Sequence, residues 1–469
     1  MNGSFQLVFL WTDILIYLLL VVIVASIVYI RKQAHLITPW KLVFQRKRGV
    51  ISIIILLCYV AVGLLDSVHY RQALAMNNGT QHYSTEVISL LDHIVTPLRK
   101  QVEKTYSSPF ATHLFVREIQ TKEEGNIDYS YPRLKFAGSH LADPNDKWSD
   151  IRQTISKASL NGLVIGLGLI LCLVVFITRT SKLSVNKLFI LIREGTFPYP
   201  LLTVFLMILL ISLLITNVAA LSVNYHVMGT DKIGQDVLYQ ALKSVRTGLV
   251  IGTLTTLVML PFALFMGIAA GYFKGWVDDI IQYIYTTLNS IPSVLLIAAA
   301  VLMLQVYMNN NPENFVTVAE RADIRLLFLC LILGLTSWTG LCRILRGETL
   351  KLREIDYVLA SRSLGAGSFT ILYKHILPNL MHIVMIAVVL DFSGLVLAEA
   401  VLSYVGVGVD PSMNSWGNMI NSARLEMARE PIVWWSLTAA FFSMFTLVLA
   451  ANLFADVVRD AFDPRTQKK

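Results

Sequence analysis

Nine long apolar runs constrain the fold of this chain more than any other feature. A bilayer core of about 30 Å is crossed by a helix of about 20 predominantly apolar residues, and each run approaches that length. The runs therefore predict an all-α, polytopic membrane protein. We expect the spans near residues 8–30, 49–65, 160–178, 200–222, 247–271, 280–304, 325–345, 380–404 and 432–455.

The basic residues indicate topology rather than nucleic-acid binding. Although the formal charge is +8, lysine and arginine are retained on the cytoplasmic side of membranes. Two loops are basic, with Glu194 their only acid: Arg31, Lys32, Lys41, Arg46, Lys47 and Arg48 in one, and Arg179, Lys182, Lys187 and Arg193 in the other. The chain is therefore expected to begin outside and to end in the cytoplasm. Because Arg31 and Lys32 follow the first run in place of a cleavage site, that run is expected to be a retained anchor.

The spacing of the runs divides the chain into four parts. Residues 1–66 hold two spans and a basic loop, and residues 67–158 form an insert expected to be a small extracytoplasmic domain. Residues 159–199 hold the third span and a linker, and residues 200–465 hold six closely spaced spans. The insert has helical apolar spacing near Leu90 and loop or short-strand character at 126–146. Its aromatic residues are numerous enough to bury a small core: Tyr83, Tyr106, Phe110, Phe115, Tyr129, Tyr131, Phe136 and Trp148.

No catalytic or metal-binding pattern stands out. The four cysteines, Cys58, Cys172, Cys330 and Cys342, fall in or beside apolar runs without metal-ligand spacing, so we expect small buried side chains. The chain has no GxxxxGK[ST] phosphate loop, so an ATPase activity of its own is not expected.

A polar arm at 351–378 separates two apolar runs and is expected in the cytoplasm. Val358 and Arg362 lie at helical spacing, and the glycines at 365 and 367 predict a break. Ser368 is expected to cap a second short helix that Pro378 closes. Helicity alone favours a solvated amphipathic connector as the interpretation of this arm.

Several motifs make the chain resemble a known family. Ala360, Gly365, Leu377 and Pro378 have the order and spacing of the EAA loop of membrane subunits of binding-protein-dependent ABC importers. Ser361 stands where a second alanine is usual, the preceding acid is displaced to Glu354, and Gly367 completes the turn. Further segments resemble the second permease subunits for oligopeptides, dipeptides and nickel: 229–236 (GTDKIGQD), 270–275 (AGYFKG), 291–293 (IPS), 398–406 (AEAVLSYVG), 415–417 (SWG) and 459–465 (RDAFDPR).

This resemblance covers about residues 200–465 and implies a six-helix type I importer core, to which the first three spans are additions. It implies that 351–378 couples the chain to two separate ATPase subunits, which bind ATP and Mg. It also implies a second homologous permease, an extracytoplasmic solute-binding protein and a bacterial inner-membrane location. The implied substrate is peptide-like, with nickel or another small solute, or antimicrobial-peptide handling including export, as alternatives.

The outer segment with Gly229, Thr230, Asp231, Gly234 and Asp236 continues at helical spacing to Val245, which predicts a helix lying at the outer surface. Two interpretations remain open for it: reception of a binding protein, or simple anchoring of the scaffold.

Polar residues also occur inside the spans. Ionisable side chains at bilayer depth are costly and usually face a partner or a watery path. We favour a packing role for Glu399 and leave Asp391 open between packing and the translocation route. Asn289 and Pro292 predict a local helix distortion.

Two functions of other classes fit the sequence less well. A membrane receptor that senses ligand through the insert would need a cytoplasmic output domain, and the sequence shows none between or after the runs. A secondary transporter would carry inverted repeats and paired intramembrane charges, and neither is evident.

Overall fold

The computed structural model describes residues 5–32, 34–74, 82–121, 127–315 and 317–462. The end of the 459–465 motif lies outside these ranges. Within them, nine helices are long and apolar enough to cross a bilayer, which confirms the prediction. The helices are α1 (Trp11–Lys32), α2 (Ala34–Gln45), α3 (Lys47–Asp66), α4 (Leu90–Ile94), α5 (Thr96–Lys100), α6 (Lys147–Ser181), α7 (Val185–Arg193), α8 (Leu201–Leu221), α9 (Val237–Phe273), α10 (Gly275–Ser290), α11 (Ser293–Asn310), α12 (Val318–Arg353), α13 (Asp356–Ser363), α14 (Ser368–Ile371), α15 (Leu377–Tyr404), α16 (Trp416–Glu426) and α17 (Trp435–Phe462).

The predicted sixth span is divided, which corrects its boundaries. Helix α10 ends at Ser290, and the apolar helix that can cross the bilayer is α11, Ser293–Asn310. The residue before Pro292 is extended (φ −91°, ψ 129°), because proline disfavours helical backbone at the preceding residue. The predicted distortion at Asn289 and Pro292 is therefore confirmed as a complete break.

The sequence predicts a surface helix after residues 229–236, called here the GTD segment. This helix does not exist as a separate element. Helix α9 begins at Val237 and runs unbroken to Phe273, so the segment's helical pattern is the first part of a membrane helix. Val237 is fully buried, and Lys243 on the opposite face pairs with Asp66 (2.6 Å) and Asp92 (3.1 Å). Because both faces of these turns are covered by protein, the apolar spacing reflects packing rather than a water interface.

Helices α9 and α12 form the centre of the core. Their backbones approach closely where α9 carries glycine: a Cβ at Gly267 would lie 2.8 Å from the carbonyl oxygen of Cys342, and one at Gly271 would lie 2.5 Å from Cβ of Thr349. Small residues at such spacing let membrane helices pack without an intervening side chain.

Helices α6 and α8 pack as a pair through another small-residue stripe. Gly162 and Gly166 of α6 face Thr216 and Ser212 of α8. Asn217 Nδ2 donates to Ser159 Oγ at 3.0 Å beside this contact. Helix α6 also begins at Lys147, so the structure has no break at the predicted insert boundary of 158.

The amino-terminal helices pack directly on the core. Helix α3 packs along α17, and Trp40 of α2 lies against Phe454 and Phe462 near the end of α17. Arg46 pairs with Asp460 at 2.5 Å. The predicted basic loop at 31–48 is mostly helical, as α2, and therefore lies beside the end of α17.

Helices α9 and α17 begin close together, since Trp435 Nε1 donates to the carbonyl of Thr230, and α9 ends at the arm, where Lys274 pairs with Glu354. Residues 31–48, the end of α17 and the 351–378 arm thus lie at one end of the bundle, called here the arm end. The opposite end is called the insert end.

The insert has a small hydrophobic cluster of its own, formed by Leu114, Leu134 and Ala137, but its aromatic residues do not build that cluster. Tyr129, Tyr131 and Trp148 are 63%, 48% and 60% exposed, whereas Tyr106 and Phe115 join a cluster with Trp416 and Trp435 of the core. A three-stranded sheet also joins the chain's beginning to the insert: β1 (Phe5–Val8), β2 (His69–Gln72) and β3 (Ile88–Ser89) are antiparallel neighbours. A second hairpin pairs β4 (Glu118–Thr121) with β5 (Ile127–Ser130). The predicted short helices and strand in the insert are confirmed.

The cysteine prediction holds for two of the four. Cys330 and Cys342 are buried, but Cys172 is exposed and Cys58 is half-buried. Cys172 is exposed because α6 contacts the rest of the protein mainly through its glycine face.

Candidate functional site

The arm between α12 and α15 is a short helix, a tight turn and a second helical segment. Helix α13 ends where the glycines predict. The turn that follows has φ +85° at Gly365, a backbone conformation that favours glycine. The N–H of Gly365 donates to the carbonyl of Arg362 (3.0 Å), and that of Ala366 donates to the carbonyl of Ser361 (3.1 Å). This pair of bonds is the Schellman motif, in which a left-handed residue satisfies the last carbonyls of the helix.

The second half of the arm differs from the prediction at two positions. Gly367, not Ser368, is the extended residue before α14 (φ −66°, ψ 151°), and no side chain caps the helix. Pro378 does not close a short helix, since a π-helical turn over Leu372–Ile376 leads directly into α15. Proline cannot donate to the helical ladder, and its ring clashes with the carbonyl four residues earlier in a regular helix; the π-helical turn just before Pro378 is the irregularity that accompanies it.

Buried apolar side chains fix the arm to the core. Val358, Ile371 and Ile376 are at most 2% exposed and pack in one cluster with Leu345 and Leu380. The cluster includes residues of α9, α10, α12 and α15. A force applied to the arm is therefore transmitted to four helices of the core, because close-packed interiors move as units.

Charged contacts secure the base of the arm. Arg346 donates to both carboxylate oxygens of Asp278 at 2.5 and 2.7 Å, which lowers the pKa of that carboxyl. Arg353 donates to the carbonyl of Tyr272 at 2.6 Å. Glu354 pairs with Lys274 at 3.0 Å, and this lysine lowers the pKa of Glu354. The displaced acid thus joins the arm to the α9–α10 turn in an exposed contact.

The outward face of the arm is apolar. Leu364 is 88% exposed and Phe369 81% exposed, and Phe369 stacks on Tyr373 with 6.4 Å between ring centroids. Ile355 and Leu359 are also exposed. Among the sequence-predicted residues, Ala360, Gly365, Gly367 and Pro378 are exposed on the arm, while Ser361 and Leu377 are half-buried. An apolar face on a fixed polar arm can bind another protein.

The GTD residues form a tight loop at the insert end. Thr230 Oγ1 donates to the carbonyl of Thr105 (2.9 Å) and accepts from the N–H of Ser107 (2.7 Å). A Cβ at Gly234, where φ is +77°, would lie 1.8 Å from the carbonyl oxygen of Glu103. The insert therefore sits on the loop so closely that only glycine fits.

Asp236 connects the loop to α9 and to a buried histidine. Its Oδ1 accepts from the N–H groups of Leu238 and Tyr239, which caps the helix, and its Oδ2 lies 2.7 Å from His226 Nδ1. Glu103 of the insert lies 3.7 Å from the other ring nitrogen. Burial alone would lower the pKa of His226, but the two carboxylates raise it to about 9.

His226 and Glu103 were not predicted from the sequence. His226 lies three residues before Gly229, which was a usable signal, whereas nothing in the sequence placed Glu103 beside it. A buried ionic group of Asp13, Arg246 and Asp323 at the insert end was not predicted either. Each of these three charges lies near one end of a predicted span, and that position was the available signal.

A cleft of about 490 Å³, lined by both polar and apolar residues, opens beside the GTD loop. Its walls come from the loop, from the insert through Tyr106, and from the segment that contains α16; polar lining residues include Asp231, Gln235, Asn414, Ser422, Glu426 and Ser436. A cleft of this size accommodates a small solute.

The two intramembrane acids have different surroundings. Glu399 is 1% exposed and accepts from Ser403 Oγ at 2.7 Å, and Gly417 of α16 packs beside its carboxylate. This environment agrees with packing between α15 and α16. Asp391 is half-buried, with no hydrogen-bond or ion-pair partner among the described residues.

Comparison with known proteins places the arm within a shared region. Residues 263–468 match the family described as the binding-protein-dependent transport system inner membrane component. The chain is 34% identical over 242 residues to the glutathione transport system permease protein GsiD of Pectobacterium atrosepticum, covering 51% of this chain and 73% of that protein. Over 243 residues it is 32% identical to the oligopeptide permease protein OppC of Mycobacterium bovis (52% and 77% covered) and 30% identical to the dipeptide permease protein DppC of Bacillus subtilis (52% and 70%).

Proposed function

Because this chain belongs to the family of binding-protein-dependent transport system inner membrane components, we propose that it forms half of the pathway by which an ATP-driven ABC transporter imports di- or oligopeptides. The similar proteins are named for glutathione, oligopeptide and dipeptide transport. Peptide is the chemistry that these names share, and the cleft beside the GTD loop has the size, the hydrogen-bonding groups and the apolar surface for a short peptide.

The arm is the observation that carries this proposal. It presents Leu364 and Phe369 to a partner on one side, while Val358, Ile371 and Ile376 tie it to the core on the other. We assign the exposed apolar face to binding of an ATPase subunit. ATP and Mg belong to two such subunits, and closure of that pair moves the arm and the helices packed on it.

The remaining partners follow from the same architecture. A second, homologous permease completes the pathway, and an extracytoplasmic binding protein delivers substrate at the insert end. Because the insert covers Gly234 and Thr230, the binding protein meets a surface built from the insert and the GTD loop together. This arrangement favours reception over mere anchoring as the role of that region.

The orientation proposed is an amino terminus outside and a carboxyl end in the cytoplasm of the bacterial inner membrane. The arm, the basic 31–48 loop and the end of α17 share one end of the bundle, and basic loops favour the cytoplasm. Placing that end in the cytoplasm satisfies both the charge rule and the need of the arm to reach an ATPase.

Purification in mild detergent tests the assembly. We expect the tagged chain to recover a second permease and ATPase subunits in fixed ratio, identified by mass spectrometry. Reconstituted in liposomes with its binding protein, the complex should accumulate labelled peptide only when ATP is supplied on the arm side. Recovery of the chain alone, stable and monodisperse, would contradict the proposal. Accumulation of nickel but not peptide would overturn the substrate assignment while leaving the assembly intact.

A further inference from the structure

An apolar cleft of about 640 Å³ opens at the arm end, outside the machinery described above. Helix α1 contributes Ile23, Ile27 and Arg31 at intervals of one helical turn, and α2 contributes Trp40, Lys41 and Phe44. Residues four apart on a helix lie on one face, so one face of each helix is turned into the cleft. Tyr199 and Met385 close the third side.

Two of the three sides of the cleft are held in place by the core. Val43 of α2 is fully buried against Val457 and Val458 of α17, and Trp40 is held by Phe454 and Phe462. Met385 belongs to α15, in the core. The remaining side is the half of α1 that is exposed at every position from Val21 to Val28.

The depth of the cleft places it in one leaflet. The apolar part of α1 suitable for crossing the bilayer ends at Val28, so Ile23 and Ile27 lie among acyl chains and Arg31 lies one turn beyond. Arginine and lysine at helix ends extend their charged groups to the headgroup level. Arg31 and Lys41 thus mark the headgroup end of an otherwise apolar cleft.

Both cations lack a counter-charge among the residues that the structure describes. Neither Arg31 nor Lys41 has an ion-pair or hydrogen-bond partner within the described part of the chain, and the 31–48 loop has no acidic residue. An apolar cavity of this size is poorly suited to water, whereas basic pockets between membrane helices on the side of basic loops bind anionic lipid headgroups.

We propose that this cleft is a binding site for one anionic phospholipid, with an acyl chain between α1 and α2 and the phosphate at Arg31 and Lys41. The bound lipid fills the space between the amino-terminal helices and α15, and so joins them at the arm end. The chemistry of both parts of the cleft, apolar walls and two cations without a partner among the described residues, favours this occupant over a lipid with no net charge.

Photolabelling of the purified complex tests the site. The probe is phosphatidylglycerol with a photoreactive group on its acyl chain, presented in phosphatidylcholine nanodiscs. After digestion of the protein, the fragments that carry the probe are identified by mass spectrometry. We expect labelling within α1 and α2. The double variant Arg31→Gln/Lys41→Gln removes both charges and should weaken the probe's apparent affinity about tenfold or more. Ser26→Phe fills the cleft, leaves both cations in place and should abolish labelling there.

Lys32→Gln is the matched control, because Lys32 lies at the same depth, is exposed and does not line the cleft. Its labelling should equal that of the unaltered chain. A phosphatidylcholine probe with the same photoreactive group should label α1 and α2 weakly and be indifferent to Arg31→Gln/Lys41→Gln. Three results would each overturn the proposal. They are equal labelling of all variants, equal labelling by the two probes, and protection of the cleft by a helix of the second permease. Recovery of the ATPase subunits in each variant shows that it has folded, so these outcomes are independent of transport.

Discussion

Arg246 Nη2 donates to Asp13 Oδ1 at 2.6 Å, across 233 positions of sequence. The two side chains are 6% and 1% exposed. Asp323 of α12 lies 3.9 Å from the same guanidinium, and Thr12 Oγ1 accepts a further hydrogen bond from it at 2.9 Å. A buried charge persists only when it is paired and hydrogen-bonded. The first helix of the amino-terminal addition is therefore part of the charge balance of the core.

Removal of the aspartate tests that balance. Asp13→Ala leaves Arg246 with a more distant partner, and breaking a buried pair from one side typically costs roughly 3 to 5 kcal/mol. We expect a clear fall in the midpoint of thermal unfolding of the purified chain. Arg46→Ala is the control, since it breaks the exposed pair with Asp460 and should cost less than about 1 kcal/mol. Equal shifts in the two variants would show that the buried pair contributes no more than a surface one.

The arm's turn should be sensitive at one glycine and tolerant at the other. Gly365 has φ +85°, where an added Cβ costs roughly 1 to 2 kcal/mol, whereas Gly367 has φ −66° and accepts alanine. Gly365→Ala should lower ATP-dependent uptake more than Gly367→Ala does. Gly365→Asp, which adds a charge, should insert normally while ATP hydrolysis no longer drives uptake. Normal coupled uptake in Gly365→Asp would refute the coupling role of the arm.

Charge on the exposed apolar face should weaken ATPase binding. Leu364 is 88% exposed, so Leu364→Asp leaves the fold of this chain unaffected but places a carboxylate in the interface. We expect co-purified ATPase to fall several-fold, at unchanged yield of the chain. The comparison variant is Ile119→Asp, because Ile119 is also exposed (62%) but lies at the insert end. Loss of ATPase from both variants would indicate general destabilisation instead.

The buried histidine predicts a pH dependence of stability at the insert end. The carboxylates of Asp236 and Glu103 raise the pKa of His226 to about 9 from an ordinary 6.5. The protonated histidine stabilises the fold fully below about pH 6.5, and this stabilisation is lost as the pH rises through about 9. The shift in pKa corresponds to about 3 kcal/mol of the free energy of unfolding. Thermal stability should therefore fall between pH 7 and 10.

His226→Gln provides the control for this titration. Glutamine keeps a hydrogen-bond donor for the carboxylates but carries no charge, so the variant should be less stable near pH 7 and should show a flatter profile from pH 7 to 10. A profile as steep as that of the unaltered chain would assign the pH dependence to another group.

Hydropathy and local signals were sufficient for much of the architecture. The nine spans follow from the apolar runs, because an apolar segment of that length must be buried in protein or lie in lipid. The break at Pro292 and the turn at Gly365 follow from backbone restrictions of single residues. The arm and its spacing were likewise visible, because they depend on neighbours in sequence.

Other features could not be read from the sequence. The apolar spacing after the GTD segment predicts a surface helix, but the same pattern suits a water interface and a protein interface. The aromatic residues of the insert predicted a separate core, whereas Tyr106 and Phe115 pack against Trp416 and Trp435 of the membrane bundle. In both cases, the pattern determined that a face is buried but not what buries it.

The sequence by itself determined that the chain crosses a membrane repeatedly and exposes a glycine-broken arm between two spans. Only the tertiary structure decided that the insert is fitted onto Gly234, that Asp13 completes the charge balance of Arg246, and that Arg31 and Lys41 frame one cleft. Local patterns depend on residues a few positions apart, where backbone geometry limits the choices. The pairing of distant residues depends on how whole helices pack, and many packings satisfy the same local pattern.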